Sequence, residues 1–499
     1  MRRFHFLAGA SALGLAGCTS GQAGIPPPSS GGGPSTTIPG HIPDLRWKFA
    51  PVPPSGNGFD ALGDANALIL PGTPTGATAP IPGLQVLGSY ATDERYVIRV
   101  PDAWNGKLVV VGTPSQRSEF ANDGIWSDFL LANGYAFACS NKALSFNAFV
   151  ETIGASPNPN TSWPVCYDLL SLETFKFSFR LSEIYPNRKP IKGWNDDFIA
   201  LTQTAQAYLA KTYYAPLRTY AVGLSNGGAQ VRALLEQRPD LVDGGVDWSG
   251  VFWNPANSIL DYLPTFLKWM PQYVASNFTD PVAAAAIQAA GYPADVKSTS
   301  ATNPSLWLEY YANQASFYSD LTLFVYAMLI DPNATSTLPS NAAFTPNPVK
   351  PKWLPGTPSA GVSGLADPVV RQNYVPSAAA RAAIAPFAHT GGIGKPLISI
   401  AGALDMFITP ANHATPYLAA VNAAGKGSQY WQYIVSGGTH VDTFSALNPA
   451  YGLQPQLPFA WAAFNQLVGI VERGVRPAGA GTQQTVSQPS QIAAKARAV

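Results

Sequence analysis

The chain has 499 residues, 46% of them hydrophobic and only 12% charged, with a formal net charge of +1. That is enough apolar material for a sizeable core, in one large domain with an insertion or in two domains. So small a charge, with basic residues scattered, excludes the footprint of a nucleic-acid binder, and 45 glycines with 46 prolines point to long, stiff loops rather than a helical bundle.

Residues 1–18 read as a targeting signal. Arg2 and Arg3 form a positive start, and Phe6 to Ala16 an apolar run too short for a permanent membrane helix. The arginine pair ahead of Phe6-Leu7 also hints at twin-arginine export. Leu15-Ala16-Gly17-Cys18 resembles a bacterial lipobox, which implies cleavage before Cys18 and acylation of that residue; an ordinary secretory signal is the alternative. Thr19, rather than aspartate, after the cysteine implies sorting to the outer membrane by the same resemblance. Residues 19–44, with Pro26-Pro27-Pro28 and Gly31-Gly32-Gly33, cannot bury a core and read as a tether. Export also governs the other two cysteines. In an oxidising compartment Cys139 and Cys166 are expected to form a disulfide, with two buried thiols as the alternative. Neither has partners at metal-ligand spacing, so no metal is expected.

Tyr96–Val100 and Lys107–Val111 read as strands joined as a hairpin around Asn105-Gly106. Trp126 to Asn133 reads as a helix stopped by Gly134, and Tyr135 to Ser140 as a buried strand. Asp196 to Tyr213 is a long helix, with Asp196 and Asp197 suited to its positive end. Strands alternating with helices at this spacing imply a mostly parallel sheet covered on both faces.

The apolar run Tyr220-Ala221-Val222 then enters Gly223-Leu224-Ser225-Asn226-Gly227, and a helical pattern follows with Val231, Leu234 and Leu235 on one face. A strand, a sharp turn holding serine and a helix make a nucleophile elbow. Small residues are needed two positions either side of a serine at positive φ, and the Asn226 N–H falls at a helix N-terminus, where an oxyanion is stabilised. Between Trp248 and Lys395 lies far more chain than one crossover helix needs. This insertion, 251–392, is dense in aromatics, among them Trp253, Tyr262, Tyr310 and Tyr326, and ends in a proline-rich stretch, 346–358. It reads as a lid over Ser225, most of its aromatics forming the lid's own small core and a few lining a pocket.

Lys395–Gly402 reads as a strand running into Ala403-Leu404-Asp405, and Tyr430–Val435 as another, running into Ser436-Gly437-Gly438-Thr439-His440. A closing helix is expected over Phe459–Val471, and 476–499 as a loose tail. Of five histidines, His440 alone lies in a glycine-rich loop just past a strand. The acid is Asp405, with Asp247 and Asp442 as alternatives.

Serine, acid and histidine in that order resemble the triad of an α/β-hydrolase, over roughly residues 90 to 475. The resemblance implies an α/β fold with core segments 45–250 and 393–475, and a second oxyanion donor after the Lys107–Val111 strand. Pro114 has no N–H, so Thr113 or Ser115 would donate. The spans 205–228 and 243–246 are similar to tannase and feruloyl-esterase enzymes and to hydrolases of 3-hydroxybutyrate oligomers. The cysteines that tannases carry before the nucleophile and after the histidine are Leu224 and Val441 here. The implied activity is an exported, lipid-anchored serine esterase. It would act on short oligoesters such as 3-hydroxyalkanoate oligomers, or on aromatic esters, and need no cofactor. A peptidase of the same fold and a non-catalytic surface lipoprotein are the alternatives.

Overall fold

The computed structural model describes residues 46–49, 81–89, 95–114, 119, 121–142, 164–166, 176–178, 191–299, 304–311, 319–337, 363–365, 367–442 and 449–493. The signal, the tether before residue 46 and the proline-rich stretch 346–358 lie outside them.

Ten strands form the central sheet: β1 (Arg46–Phe49), β2 (Ile81–Ser89), β3 (Arg95–Pro101), β4 (Lys107–Gly112), β5 (Ala136–Ser140), β6 (Arg218–Leu224), β7 (Gly244–Trp248), β8 (Leu397–Gly402), β9 (Tyr430–Val435) and β10 (Gln483–Val486). Their order is β1-β2-β3-β5-β4-β6-β7-β8-β9-β10. The first three and the β3–β5 pair run antiparallel, and every pair from β5 to β10 is parallel.

Side-chain alternation divides the core between the two faces. Val109, Val111, Val222 and Ile400 join one buried cluster, Leu108, Val110, Ala221 and Leu397 the other. On the second face lie α2 (Ile191–Thr212), α3 (Asn226–Gln237) and α7 (Ala414–Ala423), through Leu201, Val231 and Tyr417. On the first lies α8 (Leu457–Arg473), through Phe464 and Leu467. Both faces are covered, as near-continuous apolar strands require. The short helix α1 (Asp128–Ala132) ends before Gly134, whose φ is +77°.

Three expectations are corrected. β3 and β4 do not form a hairpin, because β5 lies between them. The Asn105-Gly106 turn is tied elsewhere: Asn105 N donates to Gly134 O at 2.8 Å and Leu217 N to Gly106 O at 2.8 Å. The long helix starts at Ile191 rather than Asp196, so its acids do not sit in the first turn. Asp196 pairs instead with Lys192 at 2.6 Å, and buried Asp197 accepts from Ser140 Oγ. Residues 477–493 are no loose tail. It supplies β10, paired with β9, and buries Val486 and Ile492.

In the insertion stand α4 (Ile259–Ala275), α5 (Pro281–Ala289) and α6 (Asp320–Ile330). A capping box of Ser258 and Asp261 starts α4. Tyr262, Phe266, Trp307, Tyr310 and Tyr326 belong to the same buried cluster as the first face of the sheet. The described parts of the insertion therefore share the main core instead of closing on one of their own. Among the described residues no helix is long and apolar enough to cross a membrane.

Candidate active site

Parallel pairing brings the ends of β6, β7, β8 and β9 to one rim of the sheet. Their junctions are stitched together there: Ser225 N donates to Trp248 O, Ser249 N to Ile400 O and Ala403 N to Val435 O, at 2.7–2.9 Å. Ser225, Asp405 and His440 all follow these strands.

Ser225 sits between β6 and α3 at φ +60°, ψ −117°. Such a conformation costs a non-glycine residue about 1–3 kcal/mol and persists only where its surroundings impose it. Here close packing imposes it. A Cβ on Gly223 would run into the Gly227 carbonyl, and one on Gly227 into the Gly112 carbonyl. The same Gly227 Cβ position lies 3.0 Å from Thr113 N. The end of β4 thus rides directly on the first turn of α3, and backbone N–H groups of Asn226 and Thr113 flank the elbow.

Asp405 is completely buried after β8. Its Oδ1 accepts from Phe407 N at 2.8 Å and Ile408 N at 2.7 Å, while Oδ2 lies 2.8 Å from His440 Nδ1. A carboxylate at Nδ1 selects the tautomer that carries its proton there, with the lone pair on Nε2. The Phe407 ring meets the imidazole edge-on, 5.3 Å between centroids. Both alternative acids are engaged otherwise. Asp247 is paired with Arg232, and Asp442 accepts from Gln456 N at 2.6 Å and Leu457 N at 3.1 Å, capping α8. Burial raises the Asp442 carboxyl to about 7.

The other buried histidines are held neutral. His389 accepts from Trp253 N at Nδ1 and faces Ala229 O with Nε2, and burial lowers its pKa. His413, at the N-cap of α7, accepts from Phe252 N at Nδ1, 2.9 Å, and meets Tyr262 Oη at 2.7 Å. Burial, and then the electrostatic influence of Arg232 and of the neighbouring His440, push it well below the usual imidazole range.

Cys139 is a thiol, not half of a disulfide. Its Sγ lies 3.2 Å from Thr113 Oγ1 and 3.3 Å from Asn122 Nδ2, inside the sheet's buried face. The expected bridge to Cys166 is not made, because Sγ is turned into this polar cluster beside β4. Only the backbone of 164–166 is described, and Cys18 lies outside the described residues.

Several neighbours of the site carry no sequence signal. Tyr326 of α6 accepts from the Asn226 side chain and packs on Trp194 and Trp253. Buried Lys142, at φ +61°, donates to Thr113 O at 2.7 Å and stands 5.0 Å over the Trp194 ring. Nothing distinguishes Tyr326 from a dozen other insertion aromatics, and a lysine after a strand reads as solvent-facing. Among the described residues no cluster of histidine, cysteine and acidic side chains could hold a metal.

The strand order, the elbow and the Asp405–His440 pair at one rim define an α/β-hydrolase fold. No protein-family model matches the chain, and no curated protein does. Among solved structures it is similar to feruloyl esterase B from Aspergillus oryzae (13% identity, 81% of this chain and 84% of that one, TM-score 0.42). It is also similar to tannin acyl hydrolase from Aspergillus niger (14%, 83% and 84%, 0.38). A third is Pyrococcus horikoshii acylaminoacyl peptidase (10% identity, TM-score 0.38), where 82% of this chain spans 43% of the peptidase.

Proposed function

We propose that the protein is a serine hydrolase of carboxylic esters, exported and anchored through an acylated Cys18. The observation that carries the reading is the His440–Asp405 pair, 2.8 Å apart, with the second Asp405 oxygen locked by two backbone N–H groups, at the rim that holds the strained Ser225. Ser225 Oγ attacks the ester carbonyl and gives its proton to His440 Nε2. Asp405 stabilises the resulting imidazolium. The oxyanion accepts from Asn226 N–H, at the positive end of α3, and from Thr113 N–H. His440 then protonates the leaving alkoxide. Water, deprotonated by the same base, releases the acid and restores Ser225.

Esters are preferred to amides because alkoxides leave more readily, and because the rings beside the His440 imidazole and the Asn226 side chain, Phe407 and Tyr326, carry no charge to receive a cationic side chain. Short oligoesters such as 3-hydroxyalkanoate oligomers are the proposed substrates. Ser225→Ala tests the reading: turnover of p-nitrophenyl butyrate should fall on the order of 10⁶-fold with the fold intact. Undiminished turnover would end it. Substitution of Cys18 by alanine should move the protein from the membrane to the soluble fraction, and unchanged partition would remove the anchor.

A further inference from the structure

We propose that Tyr262 and His413 are positioning residues that tie the insertion to the acid of the proposed triad. A continuous hydrogen-bonded chain carries this. Phe252 N donates to His413 Nδ1 at 2.9 Å, so the imidazole proton is on Nε2, which donates to Tyr262 Oη at 2.7 Å. Tyr262 Oη donates in turn to Phe407 O at 2.6 Å. The N–H of that same Phe407 donates to Asp405 Oδ1, and Asp405 Oδ2 holds His440. All the side chains involved are buried. Both ring nitrogens of His413 and the Tyr262 hydroxyl have one role left to them by their neighbours, so this part of the network is directional.

The Phe407 peptide is the point of leverage. Its N–H sets one carboxylate oxygen, its carbonyl is fixed by Tyr262 and its ring stands against the His440 imidazole. A hydroxyl from α4 in the insertion therefore fixes the orientation of the acid turn following β8. The neutral state of His413 matters as well. His440 becomes a cation during turnover, and a second imidazolium close by would oppose it. The Phe252 N–H occupies the His413 nitrogen that would have to accept that second proton, and burial acts in the same direction.

The proposal rests on the ester-hydrolase reading, and full-length Tyr262→Phe tests it. The ring stays to pack on Tyr292 and His413 while one hydroxyl is lost. We expect kcat for p-nitrophenyl butyrate, and the rate at which a fluorophosphonate labels Ser225, to fall roughly 10- to 100-fold with KM within about twofold. The low-field His440 Nδ1–H proton resonance should shift. A folded Tyr262→Phe protein with wild-type kcat, labelling rate and resonance overturns the proposal. Should that variant not fold, 3-fluorotyrosine at position 262 keeps the ring and acidifies its hydroxyl. The His440 resonance moves if the chain transmits and stays in place if it does not. Failure of the underlying reading looks different, since the wild-type protein itself would then resist the fluorophosphonate, or Ser225→Ala would turn over ester.

Discussion

Arg232 clasps the Asp247 carboxylate from the side, Nε to Oδ2 at 2.9 Å and Nη2 to Oδ1 at 3.1 Å, and both side chains are buried. Gly250 N adds a third bond to Oδ1 at 3.0 Å, and the Tyr417 ring lies 4.0 Å from the guanidinium. Two buried carboxylates of this rim thus have separate duties, Asp247 to neutralise an arginine and Asp405 to orient a histidine. Asp405→Asn should lower kcat about 10⁴-fold with little loss of stability, because the amide oxygen can still accept from Phe407 and Ile408. Asp247→Asn should instead destabilise by about 3–5 kcal/mol, since it strands a buried charge. Ester kinetics and urea unfolding on both variants check this. An inactive but stable Asp247→Asn protein would transfer the acid's role to that residue.

The approach of β4 to α3 leaves no room for a methyl group. Gly227→Ala would drive its Cβ into the Gly112 carbonyl, and Gly112→Ala would meet the Gly227 backbone in return. Backbone cannot swing aside as a flexible side chain can, so each change should cost about 1–3 kcal/mol or more. It should also displace the Thr113 N–H from the elbow. Activity should therefore fall further than stability explains, read as kcat at temperatures well below each variant's Tm. Wild-type kcat in a stable Gly227→Ala protein would contradict the close contact.

The elbow at Ser225 and the positions of Asp405 and His440 just past strands were legible because each depends on a local pattern, an apolar run followed by a small-residue turn. Strand partners were not. Asn105-Gly106 announces a turn, but nothing in a turn says whether its two strands pair, and here β5 enters between them. The last strand escaped for another reason. An edge strand needs few apolar residues, and in Gln483-Gln484-Thr485-Val486 only Val486 is buried, so hydrophobic periodicity has little to register. Tyr262 and His413 are 151 positions apart and meet only through folding. Cys139 followed the compartment argument rather than its own surroundings, and strand alternation aims it at Thr113 and Asn122.

Because β10 and the residues from it to Ala493 are part of the packed structure, truncation after Arg476 should be costly. It removes a strand paired with β9, the Pro477 carbonyl that accepts from Trp431 Nε1 at 3.0 Å, and the buried side chains of Val486 and Ile492. Burial of two such side chains is worth about 3–6 kcal/mol. The truncated protein should unfold at much lower urea or fail to accumulate, and Ile492→Ala alone should cost about 2–4 kcal/mol. A truncated protein with wild-type stability would return the segment to the status of a tail.

Asp442 makes stability depend on pH in a direction opposite to the usual carboxylate. Its two backbone hydrogen bonds favour the ionised form, but burial outweighs them and raises the folded pKa to about 7. Unfolded, an aspartate titrates near ~3.9. Between about pH 4 and 7 the folded chain keeps a proton that the unfolded chain has lost, so this group's contribution declines as pH rises and is flat above that window. His389 and His413 act the other way, because burial lowers their pKa and stability grows as pH rises toward about 6.5. Asp442→Asn isolates the carboxyl from both. The unfolding free energy of the wild-type protein minus that of the variant should fall by up to roughly 4 kcal/mol from pH 4 to 7, measured by urea denaturation at unit steps. A difference that does not change with pH would mean that the Asp442 carboxyl is ionised in the folded protein throughout, and that its bonds to Gln456 and Leu457 overcome its burial.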